Sequence, residues 1–70
     1  MINQMVVSTE IEWIGYEPKR DMLQVEFIEG KIYQYDRVPS AVYQDFLGAD
    51  SYGRYFELNI KNRYPSRRVR

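Results

Sequence analysis

The sequence predicts an α+β domain, a three-stranded antiparallel β-meander followed by two short α-helices packed on one face. Three observations carry that prediction. Leu23, Val25 and Phe27 alternate with Gln24 and Glu26, the period of two that a half-buried strand imposes. Turn chemistry brackets this run, with Glu17-Pro18-Lys19-Arg20-Asp21 before it and Glu29-Gly30 after it. Beyond Pro39 the apolar residues take helical spacing, at Val42, Tyr43, Phe46 and Leu47.

The first strand is expected at residues 9 to 17, where Ile11, Trp13, Ile14 and Tyr16 make a β-branched and aromatic stretch. The second runs from 22 to 28 and the third from 31 to 36, joined as a hairpin. Val38-Pro39-Ser40 opens a helix over 40 to 48, because proline's missing N–H costs least at a helix start. Asp50 or Ser51 then caps a second helix over 51 to 63. At about 100° per residue, Tyr52, Tyr55, Phe56, Ile60 and Tyr64 of this helix fall within one arc, and Arg54 and Lys61 share the opposite face. Tyr64-Pro65 ends it, since a residue before proline avoids helical dihedrals. The expected organisation is one domain over 1 to 64 and a loose basic tail over 65 to 70.

Seventy residues hold one domain and no more. The absence of Cys and His removes disulfide frameworks, Cys-based zinc sites and the commonest general base, so metalloenzyme and triad-hydrolase readings fall. Aromatic residues make up 16% of the chain, and in so small a domain large rings help compensate for a marginal core. No stretch approaches the apolar length of a membrane span, and no leader pattern opens the chain, so a cytoplasmic protein without a membrane partner is expected. Ten positive and ten negative side chains cancel, yet residues 1 to 53 carry nine carboxylates and only four of the positives. The end is basic: Arg54, Lys61, Arg63, Arg67, Arg68 and Arg70 stand against Glu57 alone.

The hairpin turn decides what Tyr33-Gln34-Tyr35 does. A two-residue loop at Glu29-Gly30 would pair Glu26 with Tyr33 and expose both rings as a stacking platform. A three-residue loop, Ile28-Glu29-Gly30 with glycine in a left-handed bulge, pairs Val25 with Tyr33 and Leu23 with Tyr35, joining the rings to the apolar face. Glutamate is a poor residue for the positive φ that a two-residue turn demands, which favours the bulged loop.

The chain resembles the KTSC domain family, found at the carboxyl end of some lysyl-tRNA synthetases and as free-standing bacterial proteins. The resemblance runs from about Ser8 to Tyr64. It rests on Ile14-Gly15-Tyr16, Leu23-x-Val25-x-Phe27 with Glu29-Gly30, Tyr33-Gln34-Tyr35, Val38-Pro39 with Tyr43, Ala49-x-Ser51-x-Gly53 with Tyr55-Phe56, and Asn59-Ile60. Glu29 stands where family members often carry Asn. Through the synthetase context and the Tyr-x-Tyr motif the resemblance implies RNA binding, and it supplies no catalytic residue.

Two groups of candidate site residues follow. Tyr33 and Tyr35 offer rings for stacking nucleobases. Arg54, Lys61, Arg63, Arg67, Arg68 and Arg70 offer cations for phosphates, though cations also suit the carboxyl end of a helix without any ligand. Glu10 and Glu12 alternate on the first strand, but surface charge at a strand edge explains them better than acid–base chemistry. The expected function is a non-catalytic nucleic-acid-binding accessory module, for RNA or another polyanion, without cofactor or metal. The alternatives are a protein–protein interaction domain and a pocket for a small nucleotide.

Overall fold

The computed structural model describes all 70 residues. The chain forms β1 (Ile2–Met5), β2 (Ile11–Glu17), β3 (Met22–Phe27), β4 (Ile32–Tyr35), α1 (Ser40–Leu47), α2 (Tyr52–Asn59) and β5 (Ser66–Arg68). The fold is α+β, but the sheet has five antiparallel strands in the order β1-β2-β3-β4-β5, where the sequence predicts three. The predicted meander is its centre, and each end of the chain adds an edge strand.

The hairpin between β3 and β4 takes the three-residue loop. Phe27 N–H donates to Lys31 C=O at 2.9 Å, Gly30 N–H donates to Phe27 C=O at 2.8 Å, and Gly30 adopts φ 101°. Only glycine occupies that region without strain. Leu23 therefore pairs with Tyr35 and Val25 with Tyr33, placing these side chains on the helix-covered face. In a regular strand Ile11 and Ile14, three apart, would face opposite sides. The register shift between Ile11 and Trp13 turns both inward, and both are fully buried.

Ile14, Tyr16, Leu23, Val25 and Tyr35 make the sheet's half of the core, and Val38, Tyr43, Phe46, Phe56 and Ile60 make the other half. Tyr16 stacks on Tyr43 with ring centroids 4.7 Å apart, and its hydroxyl donates to the Val38 carbonyl at 2.6 Å. The helices are tied together by Phe46 stacking on Tyr55 at 5.3 Å, while the Tyr55 and Tyr52 hydroxyls donate to the carbonyls of Val42 and Leu47. Such hydroxyls explain Tyr rather than Phe at these sites, because a phenol can fill the core and still satisfy a carbonyl.

The second helix ends at Asn59, four residues before its expected end at 63. Lys61 N–H folds back onto the Phe56 carbonyl at 2.9 Å, and Asn62 takes φ 62°, a left-handed conformation that Asn tolerates. Lys61 thus lies in the turn after α2 and does not share a helix face with Arg54.

The expected loose tail is also corrected. Ser66, Arg67 and Arg68 pair with Tyr35, Gln34 and Tyr33, Val69 N–H donates to Ile32 C=O at 2.8 Å, and Asp36 N–H donates to Pro65 C=O at 2.9 Å. The backbone groups along β4 supply the reason, since an otherwise bare edge is completed by the returning chain. Ion pairs from Arg67 to Asp36 and from Arg70 to Glu26, each 3.4 Å, fasten it.

Candidate functional site

The β3–β4 hairpin and the turn after α2 enclose a cleft of about 330 Å³. Its apolar lining is aromatic throughout: Phe27, Tyr33, Tyr35 and Phe56. Phe56 meets Phe27 edge-on at 5.3 Å and Tyr35 at 5.7 Å, while Tyr33 lies beside Tyr35 at 6.4 Å with 27° between ring planes. Tyr35 is 5% exposed and forms the floor, whereas Tyr33 is half-buried and forms a wall. Burial pushes the Tyr35 hydroxyl up to about 12, with Tyr33 and Glu57 adding to the effect, so the floor stays neutral through the physiological range.

Charges surround the rings. Lys31 pairs with Glu29 and Lys61 with Glu57, both at 3.6 Å and exposed, and Asn62 and Ser66 complete the lining. Exposed pairs of this kind are weak and readily exchange partners, so a phosphate can compete for either lysine. Arg68 pairs directly opposite Tyr33, which puts its side chain on the cleft's side of the sheet.

Of the sequence-predicted residues, the structure gathers Tyr33, Tyr35 and Lys61 in the cleft, with Arg68 across the ladder from Tyr33. The others are dispersed. Arg67 lies on the open face, donating to Gln34 Oε1 at 2.8 Å and to Asp36, and Arg70 reaches Glu26 on that same face. Arg54 borders a separate hollow with Ala49, Ser51 and Tyr55 at the start of α2, and Arg63 lies in the exposed turn before β5 with no ion pair. The basic end is therefore no single patch, because half of its cations are paired with carboxylates.

Sequence reasoning did not single out Phe27, Lys31, Phe56 and Asn62 as site residues. Phe27 and Phe56 were legible only as core, and Lys31 carried a usable signal, since it follows the turn glycine and begins the return strand toward Tyr33. Glu10 and Glu12 do not share a strand face, because β2 begins at Ile11 and the Glu10 carboxylate lies against Gly53 of α2. A Cβ at Gly53 would sit 2.9 Å from that carboxylate, so glycine admits the close approach while Ser51 Oγ accepts from Arg54 N–H at 3.3 Å as the helix cap. No cluster of three or more Asp and Glu side chains is arranged to hold a metal ion. No helix is long and apolar enough to cross a membrane.

The arrangement of these motifs matches a known family model, that of the KTSC domain, over residues 7–64. The chain belongs to the KTSC domain family. The crystal structure of a KTSC domain protein from Yersinia pestis superposes with a TM-score of 0.91 at 39% identity, covering 97% of this chain and 96% of that one. A protein of Tsukamurella paurometabola is 39% identical over 61 residues, which are 87% of this chain and 91% of the relative. A lysine–tRNA ligase of Nostoc punctiforme is 37% identical over 54 residues, 77% of this chain but 10% of the ligase. The KTSC match leaves out β1 and β5, whereas the Yersinia likeness extends over nearly the whole chain.

Proposed function

We propose that this KTSC domain is a non-catalytic accessory module that binds single-stranded RNA, stacking an unpaired base in the cleft beside Tyr33 while Lys31, Lys61 and Arg68 meet the flanking phosphates. The observation that carries the reading is the aromatic cleft itself: four rings line one hollow and two lysines stand at its rim. Unpaired bases are recognised by aromatic stacking, and cations beside the rings follow the backbone. A segment similar to this chain within a lysine–tRNA ligase adds support, because that enzyme handles RNA. Arg54 and Arg63 extend the cationic reach, while Arg67 and Arg70 contribute less, since a phosphate must displace Asp36 and Glu26 from them.

The test is an anisotropy titration of a labelled single-stranded oligoribonucleotide at two salt concentrations. Y33A should keep its fold and bind roughly 5- to 150-fold more weakly, the range for losing one stacked base. K61A should lower the magnitude of the log–log salt slope by about 0.7, and R67A/R70A should change it less than the double loss would otherwise give. Absence of wild-type binding at low salt, or binding by folded Y33A equal to wild type, would overturn the reading. Saturable binding of a mononucleotide with little salt dependence would instead assign the cleft to a small nucleotide.

A further inference from the structure

The two edges of the sheet are built differently. At one end β5 carries Arg67 and Arg68, the charged side chains with which edge strands resist pairing. At the other end β1 carries Ile2, Asn3, Gln4 and Met5, all exposed, and no charged side chain occurs from residue 1 to residue 9. The exposed apolar side chains concentrate there: Met5 is 60% exposed and Val7 97%. The amino group of Met1 is turned toward Glu17 at 3.2 Å.

The ladder fixes which backbone groups are free. Val6 N–H donates to Glu12 C=O, and in an antiparallel pair such bonds recur at every second residue. Ile2, Gln4 and Val6 therefore turn their backbone groups toward β2, and Asn3, Met5 and Val7 turn theirs outward. An unprotected edge with outward donors and acceptors is a template for another strand.

We infer that β1 pairs antiparallel with β1 of a second copy of this chain, on a twofold axis beside Gln4, making one continuous sheet through both copies. The sequence is self-complementary in this register, as an isologous contact requires. Asn3 meets Met5 of the second copy and exchanges ladder bonds with it, and the axis repeats the pair. Ile2 then lies opposite the second copy's half-buried Val6, and Met1 opposite its Val7, so apolar side chains meet at these pairs while Met5 lies opposite Asn3. Centring on Gln4 pairs residues 1 to 7, all of them within the uncharged run of residues 1 to 9. A basic edge such as β5 would repel its own copy, which singles out β1. One short strand from each copy makes an interface at the small end of the specific range, so the dimer dissociates on dilution.

Gln4 turns its backbone groups inward, so across the axis it forms a non-hydrogen-bonded pair, where opposing Cα atoms approach to about 4.5 Å and a disulfide fits. The chain has no cysteine, so a single introduced one reports only on its own position. Sedimentation velocity over two decades of concentration should show wild-type mass rising from 8.5 kDa toward twice that value. Q4E should remain folded and monomeric, because it sets like charges opposite one another at the axis. Q4C should form a disulfide-linked dimer under mild oxidation well before L58C, a control at an exposed site on α2. Wild type that stays monomeric throughout, Q4E that dimerises as wild type does, or Q4C that links no faster than L58C would overturn the inference.

Discussion

Tyrosine hydroxyls in this chain end in different places, and the endings set the cost of removing them. At Tyr16 the hydroxyl donates to the Val38 carbonyl inside the core, so Y16F should cost about 1 to 3 kcal/mol by leaving that buried acceptor unpaired. Thermal or urea melts check this. Tyr35 has no such donation, so Y35F should be mild, whereas Y35A removes a ring touching both Tyr33 and Phe56 and should cost roughly 3 to 5 kcal/mol. Burial holds the Tyr35 proton on to about 12, against an ordinary value of 10.0. The folded state thus binds this proton more tightly than the unfolded chain. The resulting stabilisation is complete below the unfolded value of 10.0 and is lost as pH climbs through about 12. Melts across that window should show wild type losing stability more steeply than Y35F. The sequence made Tyr35 legible through turn chemistry, because Glu29-Gly30 suits a bulged loop and the loop sets the register. It did not reveal that Tyr33, two residues earlier on the same face, is only half-buried at the hairpin's end.

At the scale of elements, the strands and helices with a periodic apolar face were legible, and those held by backbone pairing alone were not. β2, β3 and β4 and both helices bury apolar side chains, whereas β1 is exposed at every position and β5 is Ser-Arg-Arg. A strand that contributes hydrogen bonds but no core leaves no hydrophobic period to read. Deleting residues 66 to 70 should accordingly spare the helices while exposing β4. Hydrogen exchange should show the Ile32 amide, which donates to Arg70 C=O, losing protection, while the Val38 amide bonded to Asp21 C=O keeps it. Equal protection of Ile32 in both chains would contradict the role given to β5. Phe56 anchors α2 against both Phe27 and Tyr35, so F56A should cost about 3 to 5 kcal/mol, a large share of so small a domain's stability. A loss under about 1 kcal/mol would show that α2 is held by other contacts.

For the whole molecule, net charge along the chain was a poor guide to charge in space. The acidic body and basic end that the sequence separates are brought together by folding, as Arg67 meets Asp36 and Arg70 meets Glu26. Long-range contacts of this kind depend on the register of β5, which one-dimensional charge counting cannot supply. What folding leaves is a smaller site, an aromatic cleft with Lys31 and Lys61 at its rim and Arg68 across from Tyr33. The most direct measurement of the proposal is an amide chemical-shift map recorded while the domain is titrated with a single-stranded oligoribonucleotide at low and then raised salt. The account predicts shifts concentrated at Phe27, Lys31, Tyr33, Phe56, Lys61 and Arg68, diminishing as salt rises. Shifts confined to the open face around Trp13, Gln34 and Arg67, or no shifts at low salt, would contradict it.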